Sequence, residues 1–234
     1  MIGKIFGIGV GPGDPDLITV KALKILRKAD LIAYPAPENG DSLARSIAAT
    51  HFPKDCAELV IKTPMLTDRF PAFEVYERAS KKISKAANDG KNVVILCEGD
   101  PFFYGSFMYL FSRLKTNHMV EVVPGISSMM ACSAVLESPL ASRNDVLTVL
   151  PATLTDDELE EKMKLSDSIV IIKIGRHFPR IKALLKKTGL IQNAQYIERA
   201  TMQNKKIIDI EKVDETITPY FSMILLHSRK RAWA

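Results

Sequence analysis

Short apolar runs alternate with amphipathic segments through the first half of the chain. The apolar runs predict five strands, at 2–9, 29–35, 57–63, 91–97 and 119–125. In the segments between them, apolar residues recur every three or four positions, which predicts helices. These helices begin after Thr19, after Asp41 or Ser42, at Pro71, near residue 105 and at Ser127. Regular alternation of strand and helix predicts a mainly parallel five-stranded sheet with helices on both faces.

The pattern changes after about residue 143, where predicted strands follow one another more closely. They lie at 145–152, 168–174, 194–201, 206–211 and 222–228, with helices over 156–163 and 178–188. Only Met202 to Lys205 separates two of the strands, which predicts a hairpin. We therefore expect a second α/β domain with a mixed sheet, and a division into residues 1–124 and 125–234.

The stretch "GIGVGPGDPDLITVKAL", residues 7–23, places a glycine-rich loop after the first strand. It matches neither phosphate-binding signature: Pro12 or Asp14 stands where the dinucleotide motif needs its third glycine, and no lysine follows Gly13. Asp14 and Asp16 would also repel a phosphate. An apolar or cationic ligand fits this loop better, and a tight turn without a ligand is the alternative.

The composition is that of an ordinary globular protein, with 47% hydrophobic and 25% charged residues. No apolar run approaches the ~20 residues of a membrane helix, and Lys4 interrupts the N-terminal run, so no signal peptide is expected. The three cysteines are widely spaced and the four histidines form no metal-binding pair. We expect a cytoplasmic protein without a metal site.

The formal net charge of +5 says little about the partners of the protein. Most basic residues are scattered over predicted helices, and aromatic residues do not alternate with them as they do in proteins that bind single-stranded nucleic acid. We therefore expect no nucleic-acid partner. An acidic small molecule remains a candidate, because a basic cleft raises its encounter rate.

Three glycine-containing loops follow predicted strands: GVGPGDPD after the first, EGDPFFYG after the fourth and PGISS after the fifth. In open parallel sheets, ligands bind beyond the carboxyl ends of the strands. The three loops are therefore expected to meet at one edge and form one site.

These loops, in this order and at these distances, resemble those of the S-adenosylmethionine-dependent tetrapyrrole methylases (class III methyltransferases). The segments YPAPENGDSLARSIA (34–48), TPMLTD (63–68) and PGISSMMACSAVLESPL (124–140) resemble the branch that methylates carbon 20 of precorrin-2 or cobalt-precorrin-2. The resemblance covers nearly the whole chain. It implies two α/β domains with S-adenosylmethionine held between them, and a homodimer.

The resemblance also implies site residues. Contacts to the methyl donor are expected from Pro12, Gly99, Asp100, Phe103, Tyr104, Ser127, Ser128, Ile174 and Ala200. Contacts to an acidic tetrapyrrole are expected from Gly11, Gly13, Asp14, Arg45 and Arg69, and Arg143 and Arg176 are further candidates. Simpler interpretations stay open: Asp100 and the two serines as caps or turn residues, the aromatic residues as core, Pro12 as a turn residue and the arginines as surface residues.

The implied reaction is an in-line displacement on an electron-rich carbon, so the protein mainly aligns its two substrates. Alignment alone supplies roughly 7–11 kcal/mol, and no single side chain is expected to be indispensable. Tyr34, Glu98 and Asp14 are the candidate acid–base groups. Pro35 stands where the related uroporphyrinogen methyltransferases have an aspartate, so that position offers no acid–base group here.

Other functions remain as alternatives. An enzyme of the same fold could methylate another tetrapyrrole carbon, or the modified histidine of elongation factor two as diphthine synthases do. A nucleotide-binding module without catalysis would be a different class, and the failed phosphate signatures argue against it.

Overall fold

A computed structural model describes residues 2–63 and 69–228, except for the side chains of residues 69–72. Most of the TPMLTD motif and the basic segment RKRAWA (229–234) therefore lie outside the described residues. The chain divides into two compact units, Met1–Ser127 and Ser128–Ala234.

The first unit contains a parallel sheet of five strands. They are β1 (Ile5–Gly9), β2 (Leu31–Pro37), β3 (Ala57–Thr63), β4 (Val93–Cys97) and β5 (Val120–Val123). Their order is β3-β2-β4-β1-β5, and every pairing is parallel. All five residues of β4 are buried, as expected for a strand covered on both faces.

Strand β2 runs further than the sequence predicts. The sequence predicts a strand that ends at residue 35, but β2 continues to Pro37, so that prediction was wrong. The pairing of β2 with β4 ends at Ala33, whereas its pairing with β3 continues to Pro37. Proline is tolerated where a strand has a partner on one side only, because its missing N–H then leaves no ladder bond unmade.

Four helices cover both faces of this sheet: α1 (Val20–Leu26), α2 (Leu43–Ala48), α3 (Arg69–Asn88) and α4 (Phe107–Leu114). Thr19 caps α1, and Ser42 caps α2 by accepting a hydrogen bond from the backbone N–H of Arg45. The sequence offered Asp41 and Ser42 as alternative caps of α2, and Ser42 is the one that caps it.

The two faces have separate cores. Residues of α1 and α2 pack on one face, against Ile8, Ile32 and Leu96. Residues of α3 and α4 pack on the other, where Phe107 is fully buried beside Ile95. The predicted α/β architecture of the N-terminal part is confirmed.

The second unit combines a mixed sheet with helices. Its elements are α5 (Ser128–Val135), β6 (Leu147–Pro151), α6 (Asp156–Lys164), β7 (Ser168–Ile172), α7 (Phe178–Lys187), β8 (Ala194–Glu198), β9 (Lys206–Ile208) and β10 (Ser222–His227). The order is β6-β7-β10-β8-β9. Strands β6 and β7 are parallel, β10 is antiparallel to both of its neighbours, and β8 and β9 form the predicted antiparallel hairpin.

The helices of this unit also lie on two faces. Leu159 of α6 and Leu185 of α7 pack with Tyr196 and Ile224 on one face. Cys132 of α5 packs with buried strand residues on the other. In the part of the chain that the structure describes, no helix has both the length and the apolar character needed to cross a bilayer.

Candidate functional site

The three glycine-rich loops leave neighbouring strands of the first sheet. The order β4-β1-β5 places their carboxyl ends side by side. Gly11 and Gly99 form an antiparallel bridge, in which the N–H of Gly99 donates to the carbonyl of Gly11 at 2.8 Å and the reverse bond is 3.3 Å long. The loops after β1 and β4 are thus joined directly, and the sequence-based expectation of one common edge holds for this unit.

Two glycines, Gly9 and Gly125, let the backbones of the loops approach closely. A Cβ atom added to Gly9 would lie 2.4 Å from the carbonyl oxygen of Gly99 and 2.6 Å from the Cα of Gly125. A Cβ atom on Gly125 would lie 2.0 Å from the same carbonyl oxygen. Real Cβ atoms do not come this close to backbone atoms, so only glycine fits at these positions.

Asp100 links the loop after β4 to the loop after β5. Its Oδ1 accepts a hydrogen bond from the backbone N–H of Phe102 at 2.9 Å, and its Oδ2 accepts one from the N–H of Gly125 at 3.0 Å. Both carboxylate oxygens therefore hold backbone in place. Asp100 does not cap α4, which begins only after Ser106.

The aromatic residues after Asp100 reach towards the surface. Phe102 is 50% exposed and its ring contacts Phe111 edge-on at 5.1 Å. Phe103 and Tyr104 contact each other edge to face at 5.1 Å, and Tyr104 adopts a left-handed backbone with a φ of 55°. Phe102 and Tyr104 are exposed and Phe103 is partly buried, so these side chains are not core residues.

Glu98, a candidate acid–base group, lies directly before this loop. Its Oε1 accepts a hydrogen bond from the backbone N–H of Ala44, in the first turn of α2, at 3.3 Å. Burial raises the pKa of this carboxyl above its ordinary value.

Arg45 and Tyr34 are held by a residue that the sequence did not single out. Arg45 binds the carboxylate of Glu58 through Nε at 2.6 Å and Nη2 at 2.9 Å. The Tyr34 hydroxyl donates to the same carboxylate at 2.5 Å. Burial, followed by the contact with Glu58, raises the pKa of Tyr34, so its phenol stays neutral and is poorly suited to act as a base. The only sequence signal for Glu58 was its place in the predicted strand at 57–63.

The Arg45–Glu58 pair gives a prediction of pH-dependent stability. The hydrogen bond from Arg45 lowers the pKa of Glu58, so the pair stabilises the fold above the unfolded pKa and is lost as pH falls through the folded one. The two side chains are 45% and 31% exposed. We therefore expect Glu58→Gln to cost less than about 1 kcal/mol at pH 7.

Urea unfolding at pH 7 and near pH 3 would measure this effect. The difference between the variant and the wild type should shrink as the pH falls through the lowered pKa of Glu58, because the wild-type carboxylate then loses its charge. Glu121→Gln removes a more exposed partner, the ion pair with Lys21, and serves as the control. A Glu58→Gln effect that stayed constant over the whole pH range would contradict the assignment.

The remaining predicted residues of the first unit lie in or near the same loops. Pro12, Gly13 and Asp14 are partly buried, and Asp14 Oδ1 accepts a hydrogen bond from the N–H of Asp16 at 2.9 Å. Ser127 is buried and ends the unit. Arg69 begins α3, and its side chain lies outside the described residues.

The second unit holds the other predicted contacts, with Ser128 at its start. Ile174 and Ala200 are buried and follow β7 and β8. Both strands are antiparallel to β10, so these two residues lie at the same edge of this sheet. Lys173 and Arg199, which precede them, adopt left-handed backbones with φ of 57° and 49°. Ile174 and Ala200 therefore have core side chains in tight turns, where backbone groups are the parts available to a ligand.

Two candidate arginines also lie in turns of the second unit. Arg143 has a φ of 46°, and Arg176 lies in a 3-10 turn over 175–177. Among the residues that the structure describes, no group of three or more histidine, cysteine or acidic side chains could hold a metal ion.

The family model of the Tetrapyrrole (Corrin/Porphyrin) Methylases matches residues 4–215. This chain belongs to that family. The two α/β units are the fold that the resemblance implied, and the three glycine-rich loops are the motifs on which the resemblance was based.

Several curated proteins are similar over the whole chain. The precorrin-2 C(20)-methyltransferase of a Sinorhizobium species is 35% identical, covering 96% of this chain and 95% of that protein. The cobalt-precorrin-2 C(20)-methyltransferase of Salmonella typhimurium is 32% identical, covering 98% of both. The cobalamin biosynthesis protein CobIJ of Mycobacterium tuberculosis is 36% identical over 98% of this chain, which spans only 47% of that longer relative.

Solved structures share the fold. A cobalt precorrin-4 methyltransferase superposes with a TM-score of 0.74 at 25% identity, covering 96% of this chain and 94% of its own. The uroporphyrin-III C-methyltransferase of Thermus thermophilus, solved with S-adenosyl homocysteine, has a TM-score of 0.69 at 22% identity over 95% of this chain and 97% of its own. At that identity, the second comparison supports the fold alone.

Proposed function

We propose that the protein transfers a methyl group from S-adenosylmethionine to carbon 20 of precorrin-2 or cobalt-precorrin-2, in cobalamin biosynthesis. The main support is the end-to-end similarity to enzymes named for this reaction with each form of the substrate. The YP pair at 34–35, where uroporphyrinogen methyltransferases have a tyrosine followed by aspartate, favours the same branch.

The residues in the loops after β1, β4 and β5, at the carboxyl edge of the first sheet, suit this methyl donor. Its sulfonium and ammonium groups are cationic, and the Asp100 carboxylate lies in the loop where they would bind. The aromatic rings of Phe103 and Tyr104 suit an adenine. When bound, the donor supplies a methyl group already activated by the sulfonium, and the protein's task is then chiefly to position the acceptor.

The acceptor carries many carboxylates, which agrees with the net charge of +5. The Arg45–Glu58 pair makes Arg45 a weaker candidate for these carboxylates than a free arginine would be. Arg143 and Arg176 remain proposed contacts. Assembly as a homodimer also stays a prediction, which light scattering in solution would test.

The decisive experiment uses S-adenosylmethionine labelled with ¹³C at the methyl group. The protein is incubated with precorrin-2, with cobalt-precorrin-2 and with uroporphyrinogen III, and the labelled carbon is located by NMR. We expect label at carbon 20 of one or both precorrin-2 forms and little transfer to uroporphyrinogen III. Label at another carbon, or transfer only to uroporphyrinogen III or to a protein, would contradict the proposal.

A further inference from the structure

The segment Glu98–Gly99–Asp100 is tied to every neighbouring strand end of the first sheet. Glu98 binds the start of α2, which follows β2; Gly99 pairs with Gly11, after β1; and Asp100 binds Gly125, after β5. A side chain in this segment therefore has a fixed position at the middle of the edge.

The two carboxylates of this segment are used differently. Each oxygen of Asp100 accepts a backbone hydrogen bond. Glu98 uses only Oε1, for the N–H of Ala44. Among the side chains that the structure describes, which leave out those of residues 64–72 and 229–234, none donates a hydrogen bond to Oε2 of Glu98 and no cation pairs with this carboxylate. Glu98 is only partly buried, so this oxygen has unused acceptor capacity at the loop edge.

The described titratable groups that interact with Glu98 do not offset its charge. Tyr76 of α3 and Cys97 of β4 lie near enough to interact with it electrostatically, and Asp100 interacts with Cys97. Each of these groups is neutral or negative. Burial raises the pKa of Glu98 because it removes water from the charged form. A carboxylate in this state is a stronger base than one on the surface.

We propose that Glu98 is the proton acceptor of the methylation, a role that rests on the proposed function. As the new bond forms between the methyl group and carbon 20, the bond between that group and the donor sulfur breaks, with its electrons left on sulfur. The C20–H bond then breaks, its electron pair returns to the macrocycle, and Oε2 of Glu98 takes the proton.

A purely structural role would make Glu98 a second cap of α2, beside Ser42. The two roles predict different results for Glu98→Gln. Glutamine keeps an oxygen for Ala44 and removes the base, so methylation should slow by roughly 10²–10⁴-fold. Affinity for S-adenosylmethionine, measured by calorimetry, should stay within a few-fold of the wild type.

Stability provides a readout that does not depend on activity. A raised folded-state pKa means that the stabilisation from Glu98 is present below its unfolded pKa and is lost as pH rises through the folded one. Glutamine has no such loss. The thermal midpoint of Glu98→Gln should therefore gain on that of the wild type as pH rises from 4 to 7, and a difference between the two that did not change with pH would contradict the raised pKa of Glu98.

Ser42→Ala is the matched control, because it removes the other cap of the same helix. It should lower the thermal midpoint and leave the rate of methylation within a few-fold of the wild type. Glu98→Asp, the second variant, keeps a carboxylate and should retain more activity than Glu98→Gln. The rate of the wild type should fall as pH drops through the raised pKa of Glu98, and this fall should be absent in Glu98→Gln.

The outcomes separate this proposal from the proposed function. If carbon 20 is methylated and Glu98→Gln keeps both the rate and the pH profile of the wild type, the role of Glu98 is overturned. The wild type could instead methylate a different carbon while Glu98→Gln still slows transfer and no longer shows a fall in rate at low pH. In that case Glu98 is confirmed as the base and the assignment of carbon 20 is wrong.

Discussion

Gly125→Ala is expected to destabilise the first unit by about 3 kcal/mol or more and to abolish measurable binding of S-adenosylmethionine. The new methyl group would lie 2.0 Å from the carbonyl oxygen of Gly99 and 2.7 Å from the Cα of Gly9. Both are backbone atoms, so no side-chain rotation relieves the overlap, and overpacking of a rigid site costs about 1–3 kcal/mol and sometimes more. The loops after β1, β4 and β5 would have to separate.

Urea unfolding and calorimetric titration with the donor would measure both effects. Gly189→Ala provides the control: Gly189 has a φ of 74°, and an added Cβ meets no atom within 4 Å. It should cost only about 1 kcal/mol of backbone strain, with the affinity for the donor unchanged. A Gly125→Ala protein that bound the donor as the wild type does would show that the close approach of the loops is not needed for the site.

Asp100→Ala is expected to weaken binding of S-adenosylmethionine by tenfold or more while the unit stays folded. The substitution leaves the N–H groups of Phe102 and Gly125 without their carboxylate acceptor. A hydrogen bond to a charged group contributes about 1.5–3 kcal/mol, enough to let the loops after β4 and β5 move apart. The same substitution removes the negative charge proposed to face the cationic donor.

Calorimetric titration would test this second expectation with two further variants. Asp100→Asn keeps one oxygen acceptor but turns an NH₂ group towards one of the two N–H donors, so its affinity should fall between those of the wild type and Asp100→Ala. Asp209→Ala removes a comparable local contact in the second unit, to the N–H of Glu211 at 3.1 Å, and should leave affinity unchanged. Equal affinities for Asp100→Ala and the wild type would refute the role of Asp100.

The fold was predictable because its signals are local. The continuous apolar run at 91–97 and the segments with helical spacing around it specify a covered parallel sheet, and the structure confirms that architecture. The closely spaced strands after residue 143 likewise indicate the mixed sheet and its β8–β9 hairpin. The end of β2 was misjudged because the effect of a proline depends on which neighbour the strand has at that point, and such pairing is not a local property.

The site was predictable only in part. Parallel strands bring their carboxyl ends to one edge, so the meeting of the three loops followed from the strand assignment. The partners of individual side chains did not follow. Glu58 lies 13 positions from Arg45, and Ala44 lies 54 positions from Glu98, so no spacing rule connects them. Arg45 was expected to contact the acidic substrate, and the structure shows that Glu58 already binds its guanidinium group.

The strand order of the first sheet also bears on how the protein is made. Strand β1 pairs with β4 and β5. The pairings of Ile5 can therefore form only after Val93 and Val120 have been synthesised. Pairings so distant in sequence slow folding, because the chain must close long loops before they contribute any stability. The nascent first strand, rich in isoleucine and glycine, is therefore exposed during much of translation, and expression at lower temperature or with added chaperones should raise the yield of folded protein.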